Sequence, residues 1–211
     1  MIVVFSLMQR RADVSQAEFF RHWLDPHGPL VCKFPRLRLY VQNHVVEAPS
    51  SPLRDRLRTD GFAQLGYDSD GDQEAATNSP EMAACDRDSP LFIGGVLRVV
   101  TEARVVMPRP AQADGTAKLI TVFTGGETTL ARLAEFAAAV RQTDGVTGHV
   151  ENVALRQRGP RSAVPVLDVA VDAIVETWFA TQDRMHAALA GLAGAAGEQA
   201  VTYAIREYRF I

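Results

Sequence analysis

The feature that most constrains this chain is the order of its elements, which runs strand, helix, strand, strand, helix, strand and then does so again. Residues 2–8 are bulky and partly β-branched and read as a strand. Ser15-Gln16-Ala17-Glu18 spells a capping box: the Ser15 hydroxyl accepts from the Glu18 backbone N–H while the Glu18 carboxylate accepts from the Ser15 N–H. Val14 and Phe19 flank it as a hydrophobic staple. Residues 37–47 read as a strand, 48–60 are rich in Pro, Ser, Arg and Asp and predict a loop, and 62–67 form another strand. Residues 70–88 are helical in parts, with Pro80 after Ser79 marking a fresh helix start, and 97–107 make a long strand. Residues 108–116 read as a linker. The order then repeats: a strand at 118–124, an amphipathic helix at 127–142, strands at 149–157 and 166–177, an Ala-rich helix at 181–192 and a strand at 201–211.

A βαββαβ unit makes a four-stranded antiparallel sheet with both helices on one face. The bare face of each sheet needs cover, and two units in one chain supply it to one another. The expected fold is therefore α+β: two tandem ferredoxin-like βαββαβ units forming an intramolecular barrel with its helices outside. The first unit spans 1–107 and carries the candidate site; the second, 117–211, is a degenerate copy. Some letters support the repeat, since Tyr40-Val-Gln-Asn43 lies over His149-Val-Glu-Asn152 and residues 62–68 lie over 174–180. The space enclosed between the sheets is the expected place for a small ligand.

Composition narrows the function classes. With 211 residues, 47% hydrophobic and 22% charged, the chain can bury a full core without metal or disulfide. A formal net charge of −3 argues against a nucleic-acid partner, whose phosphates call for a basic surplus. Arg54, Arg56 and Arg58 are interleaved with Asp55 and Asp60 and read as a solvated loop. The N-terminal apolar run is short and precedes its positive charges, the reverse of a signal peptide. No run nears the ~20 apolar residues of a membrane span. Cys32 and Cys85 lack metal or redox spacing, so a cytoplasmic protein with two free thiols is expected.

The chemistry is concentrated in Arg21-His22-Trp23-Leu24-Asp25-Pro26-His27-Gly28-Pro29-Leu30. Pro26 lacks an N–H, so a helix continuing through it leaves the His22 carbonyl unpaired. A bent helix end that points His27 inward accounts for Pro-His-Gly-Pro; a plain helix C-terminus is the competing account. His22 and His27, five residues apart, do not share an α-helical face cleanly. In the strand, alternation puts Tyr40, Gln42 and His44 on one face. A phenol beside an imidazole can stabilise an enolate or move a proton. Trp23 and Phe34 could pack or line a site, Asp25 could orient an imidazole, and His149 takes the Tyr40-like place in the second half. Tyr67 and Asp68, at a strand end, could line a mouth of the barrel. There is no Gly-x-Gly-x-x-Gly, no Walker-type sequence, and no third ligand at metal spacing beside the two histidines.

Residues 19–44, from Phe19-Phe-Arg-His-Trp-Leu-Asp-Pro-His-Gly-Pro-Leu30 through Phe34-Pro35 to Tyr40-Val-Gln-Asn-His44, resemble the EthD family of the dimeric α+β barrel superfamily. The resemblance covers roughly residues 1–107; the remainder agrees in element order alone. Members include proteins of ether degradation, a muconolactone isomerase and fungal polyketide dehydratases. It implies a cofactor-independent isomerase or dehydratase acting on a small lactone, polyketide or aromatic catabolite. His27, Tyr40 and His22 would be catalytic, and His44, Gln42, Trp23 and Phe34 substrate-binding. A non-catalytic small-molecule-binding or stress-response barrel is the alternative. Some relatives in the superfamily bind haem through a histidine, but nothing here singles out an axial ligand, so neither metal nor cofactor is expected. Single-unit relatives must dimerise to close the barrel, whereas a tandem chain can close it alone, leaving a homodimer as an option.

Overall fold

The computed structural model describes residues 1–110 and 117–211; residues 111–116 of the expected linker lie outside them. In the first half, β1 (Ile2–Arg10) leads through α1 (Gln16–His22), a π-helical turn (Trp23–His27) and α2 (Gly28–Val31) into β2 (Leu39–Glu47). Then come α3 (Pro52–Leu57), β3 (Gly61–Tyr67), α4 (Asp70–Thr77), α5 (Pro80–Asp88), a 3-10 turn (Ser89–Leu91) and β4 (Ile93–Met107). The second half comprises β5 (Ala117–Phe123), a 3-10 turn (Gly126–Thr128), α6 (Thr129–Gln142), β6 (Val146–Arg158), β7 (Ala173–Phe179), α7 (Gln182–Ala196) and β8 (Ala200–Arg209).

Each half is a ferredoxin-like sheet. The first runs β4-β1-β3-β2 and the second β8-β5-β7-β6. Antiparallel pairing of β2 with β8 and of β4 with β6 joins them into a closed eight-stranded barrel. The two seams are equivalent under exchange of the halves. The register repeats as well: Asn43 faces Phe62, Asn152 faces Ile174, and each asparagine Nδ2 donates to the carbonyl opposite, at 3.1 and 3.0 Å.

Alternation assigns the strand faces. Val3, Phe5 and Leu7 of β1 meet Ile120, Val122, Ile174 and Val201 of the second half inside the barrel. Phe62, Leu97, Val99, Tyr203 and Ile205 join them, and a polar cluster occupies part of the interior. Lys118 Nζ lies 2.7 Å from Glu176 Oε1, 2.6 Å from Glu207 Oε2 and 2.7 Å from Asn43 Oδ1, and Gln64 Nε2 donates to Glu176 Oε2 at 3.2 Å. Burial alone would raise the Glu176 carboxyl, but Lys118 and then Arg109 hold it below the usual carboxylate range. An eight-stranded barrel is just wide enough for its own side chains. Among the described residues these side chains occupy the interior, and the cavity that takes the candidate site lies outside the barrel rather than between the sheets.

Two further expectations change. The stretch 48–60 contains α3, started by Ser51, whose Oγ accepts from the Arg54 N–H, with Pro52 at the first helical position. Its Leu53 and Leu57 pack against the barrel interior. Residues 166–172 are not a strand. Pro160 and Pro165 deny the β6–β7 connection a ladder, and it crosses instead to β4, where the Val96 N–H donates to the Pro165 carbonyl and the Val96 carbonyl accepts from the Leu167 N–H.

Candidate active site beneath the helices of the first half

The local structure of the site begins at Ser15, whose capping box with Glu18 is formed as expected. The helix then meets Pro26. Because Pro26 cannot donate, the ladder widens, and the Gly28 N–H bonds the Trp23 carbonyl five residues back. In an α-helix, residues five apart diverge by about 140°; in an i→i+5 turn they lie nearly one above the other. His22 and His27 are thereby brought to one side, and both reach a single carboxylate. His27 Nδ1 is 2.8 Å from Asp88 Oδ2, and His22 Nε2 is 3.1 Å from Asp88 Oδ1.

A carboxylate only accepts, so each of these ring nitrogens carries the proton. Burial would raise the Asp88 carboxyl, but the hydrogen bonds from His27 and then His22 outweigh it and hold it below the usual range. With its Nδ1 proton committed, neutral His27 has a basic Nε2. Phe92 fixes both rings from one side, stacked at 4.5 Å on His22 and edge-on at 5.1 Å to His27.

A second chain of hydrogen bonds determines the state of Tyr40. Gln42 Nε2 donates to the Trp23 carbonyl and to the Tyr40 hydroxyl, both at 2.7 Å. The carbonyl can only accept, so the amide orientation is fixed and Gln42 Oε1 faces His44 Nε2 at 3.0 Å. His44 must therefore be the Nε2–H tautomer. Burial, with a smaller effect of Arg206, pushes its pKa down to about 3 and keeps it neutral. Since the Tyr40 oxygen accepts from Gln42, its own proton is free to be donated. Burial raises the Tyr40 hydroxyl well above the ordinary phenol range, partly offset by Gln42 and then Trp23, so it acts as a donor rather than an anion.

His27 and Tyr40 line one cavity of about 80 Å³ between the outer face of the first sheet and its helices. That is room for on the order of five waters, or one ring-sized molecule. Trp23, Val31 and Phe34 form the wall on the His27 side; Ser6, Met8, Ala63, Leu65 and Tyr67 form the sheet floor; Gln73, Thr77, Met82 and Cys85 come from α4 and α5. The Trp23 ring is fully buried, and its Nε1–H, outside strict hydrogen-bond geometry, is near enough to the Tyr40 hydroxyl to act on it. Burial pushes the Cys85 thiol up to about 12, which argues against a thiolate nucleophile. No cluster of three or more metal-binding side chains occurs among the described residues.

The structure sorts the sequence candidates into the wall and behind it. His27, Tyr40, Trp23 and Phe34 line the cavity; Gln42, His44 and His22 do not. Gln42 supports Tyr40 from behind. His44 is sandwiched among Phe20, Trp23 and Tyr208, with ring centroids 4.4 to 4.7 Å away. His22 sits on the far side of Asp88. Tyr67 lies in the floor beneath the helices rather than at a mouth of the barrel. Asp25 is exposed, and the orienting carboxylate is Asp88, which sequence reasoning missed because it lies sixty-one residues from His27. A carboxylate closing a helix directly before Ser-Pro was the available signal.

The second half takes part without His149. That side chain is buried beneath α6, its Nδ1 3.0 Å from Thr177 Oγ1. The contributors are Pro160 and Ser162, which cross over to line the cavity, and Phe210, which stacks on Tyr40 at 4.9 Å. Gly28 is required here, since a Cβ at this position would come within 2.9 Å of the Phe210 ring.

The fold recurs in solved structures. Over the whole fold the chain is similar to an anthrone oxidase-like protein, with a TM-score of 0.65, 14% identity, and coverage of 99% of this chain and 92% of that one. It is also similar to a Fusobacterium nucleatum subsp. nucleatum protein named as a candidate monooxygenase, with a TM-score of 0.57, 10% identity, and coverage of 98% and 91%. At such identities the likeness is one of fold. No curated protein matches the chain. The EthD domain family matches residues 11–95, which include the π-helical turn, Tyr40 and Asp88. The match to the EthD domain thus lies in the first half of the chain, and the cavity's candidate proton-moving groups His27 and Tyr40 fall inside it.

Proposed function

We propose that this protein is a cofactor-independent proton-transfer enzyme acting on a small, single-ring substrate with an acidic C–H beside a carbonyl. The observation that carries the reading is the pairing of two opposed groups on one cavity: a His27 imidazole whose Nδ1 proton is held by Asp88, and a Tyr40 hydroxyl whose proton is free. His27 Nε2 takes the proton from carbon. The Tyr40 O–H, with the Trp23 Nε1–H close by, donates to the oxygen on which negative charge develops. His27 then returns the proton to a neighbouring carbon, giving an isomer, or to a departing hydroxyl, giving a dehydrated product. Gln42 and His44 position Tyr40, and His22 shares the load on Asp88. The cavity volume favours a lactone or single-ring catabolite over a multi-ring polyketide.

The test follows C–H to C–D exchange by NMR for a panel of small enolisable lactones and cyclic ketones in D2O. Wild-type protein is expected to catalyse exchange of at least one, and His27→Ala and Tyr40→Phe to lose it. Undiminished exchange in both variants would sink the reading. The names of the two structural neighbours suggest a second outcome, in which the deprotonated substrate reacts with oxygen. Substrate-dependent oxygen uptake would distinguish it, with His27 still the base.

A further inference from the structure

One side chain of the cavity is not explained by proton transfer. Arg98 stands on the outer face of β4, opposite Ser6 of β1, and both line the cavity. Its single hydrogen-bond acceptor among the described residues is the Met82 thioether, Nη2 to Sδ 3.9 Å, a weak acceptor for a group with five N–H donors. Asp86 is near enough to be felt but forms no ion pair with it, and Asp86 Oδ1 is itself buried without a partner. Arg161 adds positive charge nearby, its own guanidinium held by the Thr77 carbonyl and Asn78 Oδ1. Burial holds Arg98 below the usual arginine range, so the folded protein bears a cost for keeping this cation in place. The neighbouring wall residues Met8, Val96 and Ile93 are apolar, and packing gives no reason for an arginine among them. Arg98 lies just beyond residues 11–95, the stretch that matches the EthD domain.

We propose that the ligand of this cavity is a small carboxylate, whose anionic group is held by Arg98 while its ring lies along the apolar wall. The proposal rests on the reading of the cavity as the substrate site. A guanidinium fork matches a carboxylate in a bidentate way. A dianionic phosphate would need more donors than one fork and the Tyr67 hydroxyl provide. The cavity volume limits the remainder of the ligand to about one ring. A carboxylate anchored at Arg98 also orients the substrate, so that one carbon is presented to His27.

Benzoate and benzamide, planar and of equal size, serve as probes, titrated by calorimetry and by the fluorescence of the wall residue Trp23. Wild-type protein is expected to bind benzoate roughly tenfold or more tightly than benzamide. Arg98→Gln should bring the two within about twofold by weakening benzoate alone, and Arg98→Lys should keep part of the preference, since charge remains without the fork. Equal affinities in the wild type, or a preference that survives Arg98→Gln, would overturn the proposal. If Arg98→Gln does not fold, the wild-type ratio and Arg98→Lys decide. Benzamide bound as tightly as benzoate removes the anion proposal and leaves the cavity as a ligand site. Binding of neither probe overturns both.

Discussion

The two halves share one fold and differ in what their helices leave open. In the second half, α6 and α7 are unbroken, and each lays a continuous apolar face on the sheet: Leu133, Phe136, Ala137 and Val140 from one, Met185, Leu189, Leu192 and Ala196 from the other. In the first half, Pro26 forces a π-helical turn and Ser79-Pro80 divides α4 from α5. No helix there is long enough to cover the sheet, and the uncovered area becomes the cavity. The strands follow suit. His149 and Glu151 stand where Tyr40 and Gln42 stand in the first half, and Ala173 stands where Gly61 does. Gly61 is needed because a Cβ would lie 2.4 Å from the Trp23 ring. An open site in this fold is thus made by interrupting helices, not by enlarging the barrel.

The largest expected effect separates the halves by chemistry. His27→Ala should lower proton exchange by roughly two to four orders of magnitude, whereas His149→Ala, assayed in parallel, should leave it within about twofold. A comparable loss in both would mean that the second half carries chemistry too.

Next is the barrel interior, where Lys118 and Glu176 take the places that Val3 and Gln64 hold in the first half. Lys118→Val alone removes the buried cation shared by Glu176 and Glu207, leaving Glu176 to Arg109, and should cost about 3–5 kcal/mol in denaturant unfolding. Lys118→Val with Glu176→Gln restores the first-half composition and should lose less than the single change. A double variant as unstable as the sum of the two singles would refute this account.

Gly61→Ala should displace Trp23, cost about 1–3 kcal/mol, and weaken binding in the cavity. Ala173→Gly should cost only about 0.5–1 kcal/mol and leave binding unchanged. Unaltered Trp fluorescence in Gly61→Ala would break the comparison.

The smallest effect is on pH dependence. With its folded pKa at about 3, His44 stays neutral in the native state but takes up a proton near pH 6.5 when unfolded. Its contribution is complete above pH 6.5 and falls away on acidification toward pH 3, with a slope of at most about 1.4 kcal/mol per pH unit. His44→Gln should flatten the loss of thermal stability between pH 6.5 and 5.

Much of the fold was legible in the sequence because it rests on local signals. Ser15 and Glu18 announced α1, Ser79-Pro80 announced α5, and alternation marked most strands within a few residues. The match of Asn43 with Asn152 anticipated the repeated register. The site was legible only in part. Pro26 and Gly28 correctly pointed to a distorted helix end with His27 turned inward. Pro26 widens the turn locally, but the sharing of Asp88 by His22 and His27 depends on a carboxylate at the end of α5, far along the chain. The location of the cavity depended on how helices of unequal continuity cover equal sheets, and periodicity does not report that. The burial of Lys118 and Glu176 depends on the barrel closing around them, which no local pattern reports.

Closure of the barrel within one chain has a consequence for dilution. Where a sheet seam joins separate polypeptides, its stability falls with protein concentration by mass action. Here the β2–β8 and β4–β6 seams form intramolecularly, and the tether supplies an effective concentration that dilution cannot lower. The cavity, roofed in part by Pro160 and Ser162 of the other half, therefore stays assembled at any abundance of the protein.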